Sequence, residues 1–357
     1  GFVGAEQSSR NWGWCRQQNR DARELPLAIQ SMALWDRLSG EIGRDLGFRR
    51  CGLIYATTDA NQIAQWEAWR TVAREFGVDT RMLTAAEARV MSTSSARTWL
   101  GGIHSVTDGK AEPALAAPRL ALGARERGAT IHQTCAARSL DIGNGAVRGV
   151  VTEKGLIRAS RVILAGGAWA SALCRHHGLR FPQASVRATI LRTEQAPPGP
   201  DAFYCPEIAL TRRLDGSYTV AISGKGTLEV TPQGLRYARD FLPMFLKRFK
   251  SVELRVGRSF LTGPEAISRW TADRVSPFER TRVLAPRPDR RTIELLAEGD
   301  AFANQAGLPP SPLERREKLE QLRALEMGLQ IWAAVIDEAP LSVDNPDDLA
   351  AARALAG

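Results

Sequence analysis

Within the first eighteen residues, the run GAEQSSRNWGWCRQQ gathers Ser8, Ser9, Arg10, Asn11 and Gly13. Short hydroxyls and an amide can donate to phosphate or ring oxygens, and arginine supplies a fixed cationic fork. The run has neither helical nor strand periodicity, so it reads as a loop. Trp12, Trp14 and Cys15 complete it. Two tryptophans two residues apart can flank a planar ligand or wedge the loop onto a core, and both readings stand open.

A second place where chemistry can gather is RVILAGGAWAS. Arg161 to Leu164 is apolar and β-branched, predicts a strand, and runs into Ala165, Gly166 and Gly167 before a helix. A backbone at such a turn can approach a phosphate or ring closely, although any tight strand-to-helix turn also uses glycine.

Other chemistries are poorly supplied. Five cysteines, odd in number and without a C-x-x-C, argue against a disulfide framework or zinc site and for a reducing, cytoplasmic compartment. His176 and His177 beside Gly178 read as a helix end, so no metal is expected. No Ser-His-Asp or Cys-His arrangement stands out. The net charge is +9, but the arginines are scattered without the basic stripe of a nucleic-acid binder. No run of eighteen apolar residues predicts a membrane-spanning helix, and no secretory signal opens the sequence.

The elements that must position these groups follow from periodicity. Helices are expected over Glu24 to about Leu46, over Asn61 to Phe76 with Asp59 as N-cap, and from a Thr84/Glu87 capping box. An alanine-rich helix from Pro113 to Arg127 should close at Gly128. TIHQ, CAARSLDI, GAVRGVVTE and LIRASRVIL read as successive strands, with a tight turn at Gly143, Asn144 and Gly145. Strands are expected again at Val186 to Thr193, Ile208 to Leu214 and Tyr218 to Ile222, then a helix from Pro232 to about Phe249 and a strand in VELRVGRSFL. SPLERREKLEQLRALEMG predicts a helix, LQIWAAVI a strand, and NPDDLAAARALA a final helix.

In this order, EQSSRNWGW, DGKAEPALAAPRLALGARERGATI, GAVRGVVTEKGLIRASRVILAGGAWAS and RRLDGSYTVAISGKGTLEVTPQGLRYAR resemble the D-amino-acid oxidase/dehydrogenase family of FAD-dependent oxidoreductases, which includes glycine and sarcosine oxidases. The resemblance implies an α/β fold: a doubly wound, Rossmann-like FAD-binding part interleaved with an antiparallel-sheet substrate domain. It implies transfer of an amino-acid or amine α-hydrogen to flavin, so the substrate is a small molecule. Ser8, Ser9, Arg10, Asn11 and Gly13 match the loop around the pyrophosphate and flavin side. Ala136 and Ala137 match the backbone at the adenine, and Ala165, Gly166, Gly167 and Trp169 match a second glycine-rich turn by the cofactor. Arg213 is the candidate for the substrate carboxylate; its alternative is a solvated strand arginine.

The sequence departs from the family at both ends. No strand, G-x-G-x-x-G turn and helix precede the loop, so the FAD-binding part is expected to be incomplete by a βαβ unit of roughly thirty residues. From about Ala301 to Gly357 the sequence instead resembles the C-terminal end of CMP-Kdo synthetase (3-deoxy-manno-octulosonate cytidylyltransferase), on PPSPLE, EKLEQLRALE and the VD, P and DL of VDNPDDL. That resemblance implies a small α/β tail with Glu320 and Gln321 near a sugar acid and Asp344 near magnesium, although Asp344 also reads simply as the residue before a helix capped by Asn345. The expected division is 1–50 with 98–180 for the cofactor, 51–97 with 181–290 for the substrate, and 291–357 as the tail. A cytidylyltransferase-related enzyme and a non-catalytic truncated fusion are the alternative readings.

Overall fold

The computed structural model describes residues 2–93, 97–223, 226–249, 252–261 and 263–266. The expected tail elements, with Glu320, Gln321 and Asp344, lie outside the described residues. Helices and several sheets alternate along the chain, so the α/β fold expected from the sequence is the fold observed.

The largest element is a seven-stranded sheet ordered Ile190–Gln195, Ser217–Ile222, Ile208–Arg212, Ala202–Tyr204, Leu53–Thr57, Gly101–Ser105 and Thr80–Leu83. Every joint is antiparallel except one, where Phe203 and Tyr204 pair in parallel with Ile54 and Tyr55. That joint unites two distant stretches of chain. The strand Gly101–Ser105, which the expected division assigns to the cofactor part, hydrogen-bonds into this sheet.

Strand alternation sends side chains to two cores. Ile54, Ala56, Phe203, Leu210, Tyr218 and Val220 pack with Trp99 on one side. Leu53, Tyr55, Ile103 and Ala202 pack with Trp66 on the other. Because both faces are covered, Leu53–Thr57 is buried at every residue.

The helices start and stop where side chains satisfy backbone groups. Asp59 accepts from the Asn61 N–H at 2.8 Å to open Ala60–Glu75. Thr84 and Glu87 form the expected capping box before Ala85–Met91. The first helix, Leu25–Ile42, is four residues shorter than expected at its C-terminus because Gly43 turns left-handed there (φ 65°). Pro113–Glu126 runs as expected up to Gly128, whose φ is 90°.

A meander of Ala137–Gly143, Ala146–Thr152 and Gly155–Arg158 realises the middle of the expected strand succession and its turn, with Asn144 and Gly145 both at positive φ. Several expectations fail, among them the single strand expected from Val186 to Thr193, which divides into Val186–Arg187 and Ile190–Gln195 in different sheets. TIHQ forms no strand, and the helix expected from Pro232 divides at Tyr237 into Pro232–Arg236 and Ala238–Arg248. Arg161 to Leu164 is also not a strand, and Ile163 is 93% exposed. β-Branched residues favour a strand only where a partner satisfies the backbone. Among the described residues no strand pairs with this segment.

A small sheet bears directly on the site. Gly109–Lys110 lies between Trp14–Cys15 and Arg49–Arg50, with Trp14 and Arg49 both opposite Lys110. A Cβ on Gly109 would lie 2.5 Å from the Arg49 carbonyl oxygen, so the central strand has no room there. Asp45 binds the Arg49 guanidinium at 3.0 and 2.9 Å, and Asp36 binds that of Arg50 at 2.7 and 2.6 Å. The Arg49 hydrogen bonds hold the Asp45 carboxyl down to about 2, and the Arg50 bonds lower Asp36. A carboxylate whose pKa is lowered by folding stabilises the fold above its unfolded value and loses that contribution as pH falls through its folded value. Acidification from about pH 4 to about pH 2 is therefore expected to lower the amide protection factors at Arg49 and Arg50, measured against the intrinsic rate at each pH, with Asp45→Asn removing part of the pH dependence. Identical exchange profiles in the variant and the parent would exclude this role.

Candidate functional site

The N-terminal loop is fixed from below by a buried carboxylate. Asp108 accepts the Gln17 N–H at 2.7 Å and the Gln18 N–H at 3.0 Å, with the Gln17 side-chain amide adding a third donor at 3.4 Å. Burial raises its pKa, and these hydrogen bonds oppose the rise. The loop also bonds to itself. Asn11 donates through Nδ2 to the carbonyls of Gln7 and Ser8 and accepts the Gly13 N–H at 2.8 Å. Arg10 donates to the Ala5 carbonyl at 2.8 Å, and the Ser9 hydroxyl donates to that of Glu6.

Gly13 is where this loop meets the large sheet. Its φ is 82°, and its carbonyl accepts the Ala111 N–H at 2.7 Å. A Cβ there would stand 2.5 Å from the Ala111 carbonyl oxygen and 2.9 Å from Nη1 of Arg213. Gly13→Ala is expected to combine strain of about 1–3 kcal/mol from the left-handed backbone with displacement of Arg213. A lowered unfolding midpoint and a changed tryptophan emission would register both effects. An unchanged midpoint would contradict them.

Arg213 is not a solvated strand arginine: it is only 9% exposed. It follows Ile208–Arg212 and takes its position from the hairpin at Asp215 and Gly216, where its own N–H donates to the Ser217 carbonyl at 2.7 Å. Its Nε donates to the Thr219 hydroxyl at 2.6 Å, and Nη2 donates to the Asn11 carbonyl at 3.3 Å. Nη1 stands 3.3 Å from a Glu112 carboxylate oxygen and makes no hydrogen bond among the described residues. Burial lowers its pKa, and the Glu112 charge opposes that shift. Glu112 precedes the helix Pro113–Glu126, so one carboxylate links the helix start to the strand arginine.

Two clefts open beside this junction. The first, about 250 Å³, is lined by Ser8, Asn11, Gly13, Trp14, Arg16, Arg20 and Trp35 among others. In it Trp14 Nε1 and Arg20 Nε are buried N–H groups without acceptors among the described residues. Trp12 stacks edge-on against Trp14 at 4.8 Å, and Trp14 in turn faces Tyr55 at 6.3 Å. Trp14 thus wedges against the core and also lines the cleft. Cys15 is no nucleophile, because burial pushes its thiol up to about 12. The second cleft, about 380 Å³, takes in Lys110, Asp201, Arg212 and Arg213.

The structure therefore brings Ser8, Asn11, Gly13 and Arg213 together. Ala136, Ala137, Ala165, Gly166, Gly167 and Trp169 line neither cleft. The Ala136 N–H already donates to Glu153, while Val3 donates to Gln133 nearby in sequence. Gly166 and Gly167 open a short 3₁₀ turn, and Gln183 donates to the Gly167 carbonyl at 2.8 Å. Sequence reasoning missed Glu112 and Asp108. An acidic residue directly before a proline-initiated helix, and one in a strand-connecting turn, carry no distinguishing local signal. No group of acidic, histidine and cysteine side chains suited to a metal occurs among the described residues. Nor is any helix among them long and apolar enough to cross a membrane.

A family model described as "DAO: FAD dependent oxidoreductase" matches residues 1–272. Among solved structures, L-amino acid deaminase from Proteus myxofaciens in complex with anthranilate superposes with a TM-score of 0.77 at 24% identity, covering 90% of this chain and 70% of that one. Glycine oxidase from Geobacillus kaustophilus gives a TM-score of 0.56 at 24% identity, covering 62% of each chain. At these identities the likeness establishes the fold. A short C-terminal stretch is 64% identical over 53 residues to 3-deoxy-manno-octulosonate cytidylyltransferase from Afipia carboxidovorans, spanning 15% of this chain and 22% of that protein.

Proposed function

Because the chain belongs to the DAO family of FAD-dependent oxidoreductases, we propose that it oxidises an amino acid or secondary amine by hydride transfer to FAD. One observation carries this reading: the N-terminal loop and Arg213 meet across 202 residues of sequence, through Asn11 and Gly13. The donor-rich loop lines the first cleft and the buried cation the second, and the two clefts adjoin where loop and cation touch.

The residues suit the cofactor's chemistry. FAD is rich in acceptors and carries a pyrophosphate, and the first cleft offers the unpaired N–H groups of Trp14 and Arg20, the Ser8 hydroxyl and the cationic Arg16. Bound FAD would take up the α-hydrogen with its electron pair. Ser8, Ser9, Arg10, Asn11 and Gly13 shape the loop on its flavin side. Ala136, Ala137, Ala165, Gly166, Gly167 and Trp169 are assigned to the rest of the cofactor on resemblance. Arg213 takes the substrate carboxylate through Nη1, and Glu112 keeps the guanidinium charged and oriented. The aromatic group of Trp14, Tyr55 and Tyr204 excludes water from this side of the sheet. The interleaved division into cofactor and substrate parts goes with this reading, and a reducing cytoplasmic compartment suits the five free thiols.

The test is a visible absorption spectrum of the purified chain before and after loading with FAD and desalting. Retained flavin bands that a D- or N-methyl amino acid bleaches without oxygen are the expected result. A chain that stays colourless after loading would sink the proposal.

The C-terminal likeness supports a second reading, in which the chain is a fusion whose tail is cytidylyltransferase-related. Transfer of CMP from CTP to a sugar acid by the purified chain would favour it. Absence of transfer would leave the tail non-catalytic.

A further inference from the structure

Five basic residues line the cleft of about 380 Å³, Arg49, Arg50, Lys110, Arg212 and Arg213, together with one acidic residue, Asp201. Four of the five have carboxylate partners. Arg49 pairs with Asp45, Arg50 with Asp36, Lys110 with Asp201 at 2.5 Å, and Arg213 with Glu112. Lys110 is also held by the Arg212 carbonyl at 2.7 Å. Arg212 has no such partner: its side chain makes no ion pair among the described residues, and its Nε is buried without an acceptor. One positive charge in a half-enclosed cleft is left uncompensated. Burying such a charge is costly unless something pairs with it.

We infer that this cleft is a carboxylate-binding site, with the Arg212 guanidinium as the charge that a ligand carboxylate neutralises. A carboxylate matches the case on two counts. It carries one charge, equal to the one left over, whereas phosphate carries nearly two at neutral pH. Its two oxygens also fit the planar fork of a guanidinium. The site is distinct from the Arg213 Nη1 position proposed for the substrate's α-carboxylate. Arg213 turns Nη1 to Glu112 and Nε to Thr219, whereas Arg212 Nε meets no acceptor among the described residues. The carboxylate has two sources: the side chain of an acidic amino-acid substrate, which rests on the oxidoreductase reading, or a free small carboxylate, which does not.

The experiment is calorimetric titration of the full-length chain with propionate, with inorganic phosphate as the competing anion. Saturable propionate binding is expected, with phosphate weaker. Arg212→Gln is expected to weaken propionate at least about tenfold, and Arg212→Lys to recover part of the loss. Arg23→Gln, at an exposed position paired with Asp21, is expected to bind like the parent. Unfolding midpoints of all variants guard against loss of fold. Absence of saturable binding to the parent chain, equal binding by a folded Arg212→Gln, or tighter binding of phosphate than propionate would overturn the inference. With FAD loaded, bleaching by N-methylglutamate that propionate suppresses identifies the substrate side chain as the source. Propionate binding without such competition identifies a free carboxylate, and either result leaves the site standing. A chain that holds no FAD yet binds propionate through Arg212 would defeat the proposed function and not this site.

Discussion

Arg213→Leu is expected to reduce amino-acid-dependent flavin bleaching by about 100-fold or more, mostly through a raised KM. Truncating one partner of a buried, hydrogen-bonded charge pair typically costs about 2–5 kcal/mol of binding, and each 1.4 kcal/mol is tenfold. The substitution would remove the Nη1 donor, the bonds to Thr219 and Asn11, and the charge opposite Glu112. Arg213→Lys separates charge from geometry. It keeps a cation but loses the fork that reaches Thr219, Asn11 and Glu112 at once, so it is expected to restore only a small part of the activity. The measurement is anaerobic flavin reduction at varied amino-acid concentration, with FAD content as a control. Equal kcat/KM in the parent and a folded, flavin-loaded Arg213→Leu would remove Arg213 from the substrate site.

Phe203→Ala is expected to cost about 3–5 kcal/mol of stability, the range for emptying a buried aromatic site. Phe203 is fully buried. It packs against Trp99 at a ring distance of 5.9 Å, and it pairs in parallel with Ile54 and antiparallel with Leu210. It therefore sits at the one joint that holds the early strands to the late ones, and the late strands carry Arg213. Such a loss is a large share of the stability of an ordinary domain. Denaturant unfolding followed by tryptophan emission measures it, and a shift below about 1 kcal/mol would show that the joint is not where the cores are locked. Phe203→Leu, which keeps much of the volume, is expected to lose well under half as much.

Local signals were legible where the physics is local. Asp59 before a helical period, the Thr84/Glu87 box and the Asn144-Gly145 turn each depend on backbone groups a few residues away, and each forms as its sequence implies. Arg161 to Leu164 shows the limit of such signals. Its composition is that of a strand, but pairing comes from another part of the chain, and composition cannot supply it. The site divides in the same way. The hydrogen-bonding density of the N-terminal loop was evident from its residue types. The self-bonding of Arg10 and Asn11, and the grip of Asp108 on Gln17 and Gln18 across about ninety residues, were not.

By itself, then, the sequence determined the family to which residues 1–272 belong, the α/β class and the candidate groups, because residue types in order carry that information. Tertiary structure decided which of those groups meet. It buried Arg213 against Glu112 and the Asn11 carbonyl, left Arg212 without a counter-charge among the described residues, and kept Ala136, Ala137 and the turn at Gly166 out of the lining of both clefts. The physical reason is that burial and charge pairing depend on distance in space. One parallel joint at Phe203 and one glycine at position 13 set those distances between residues some 200 positions apart.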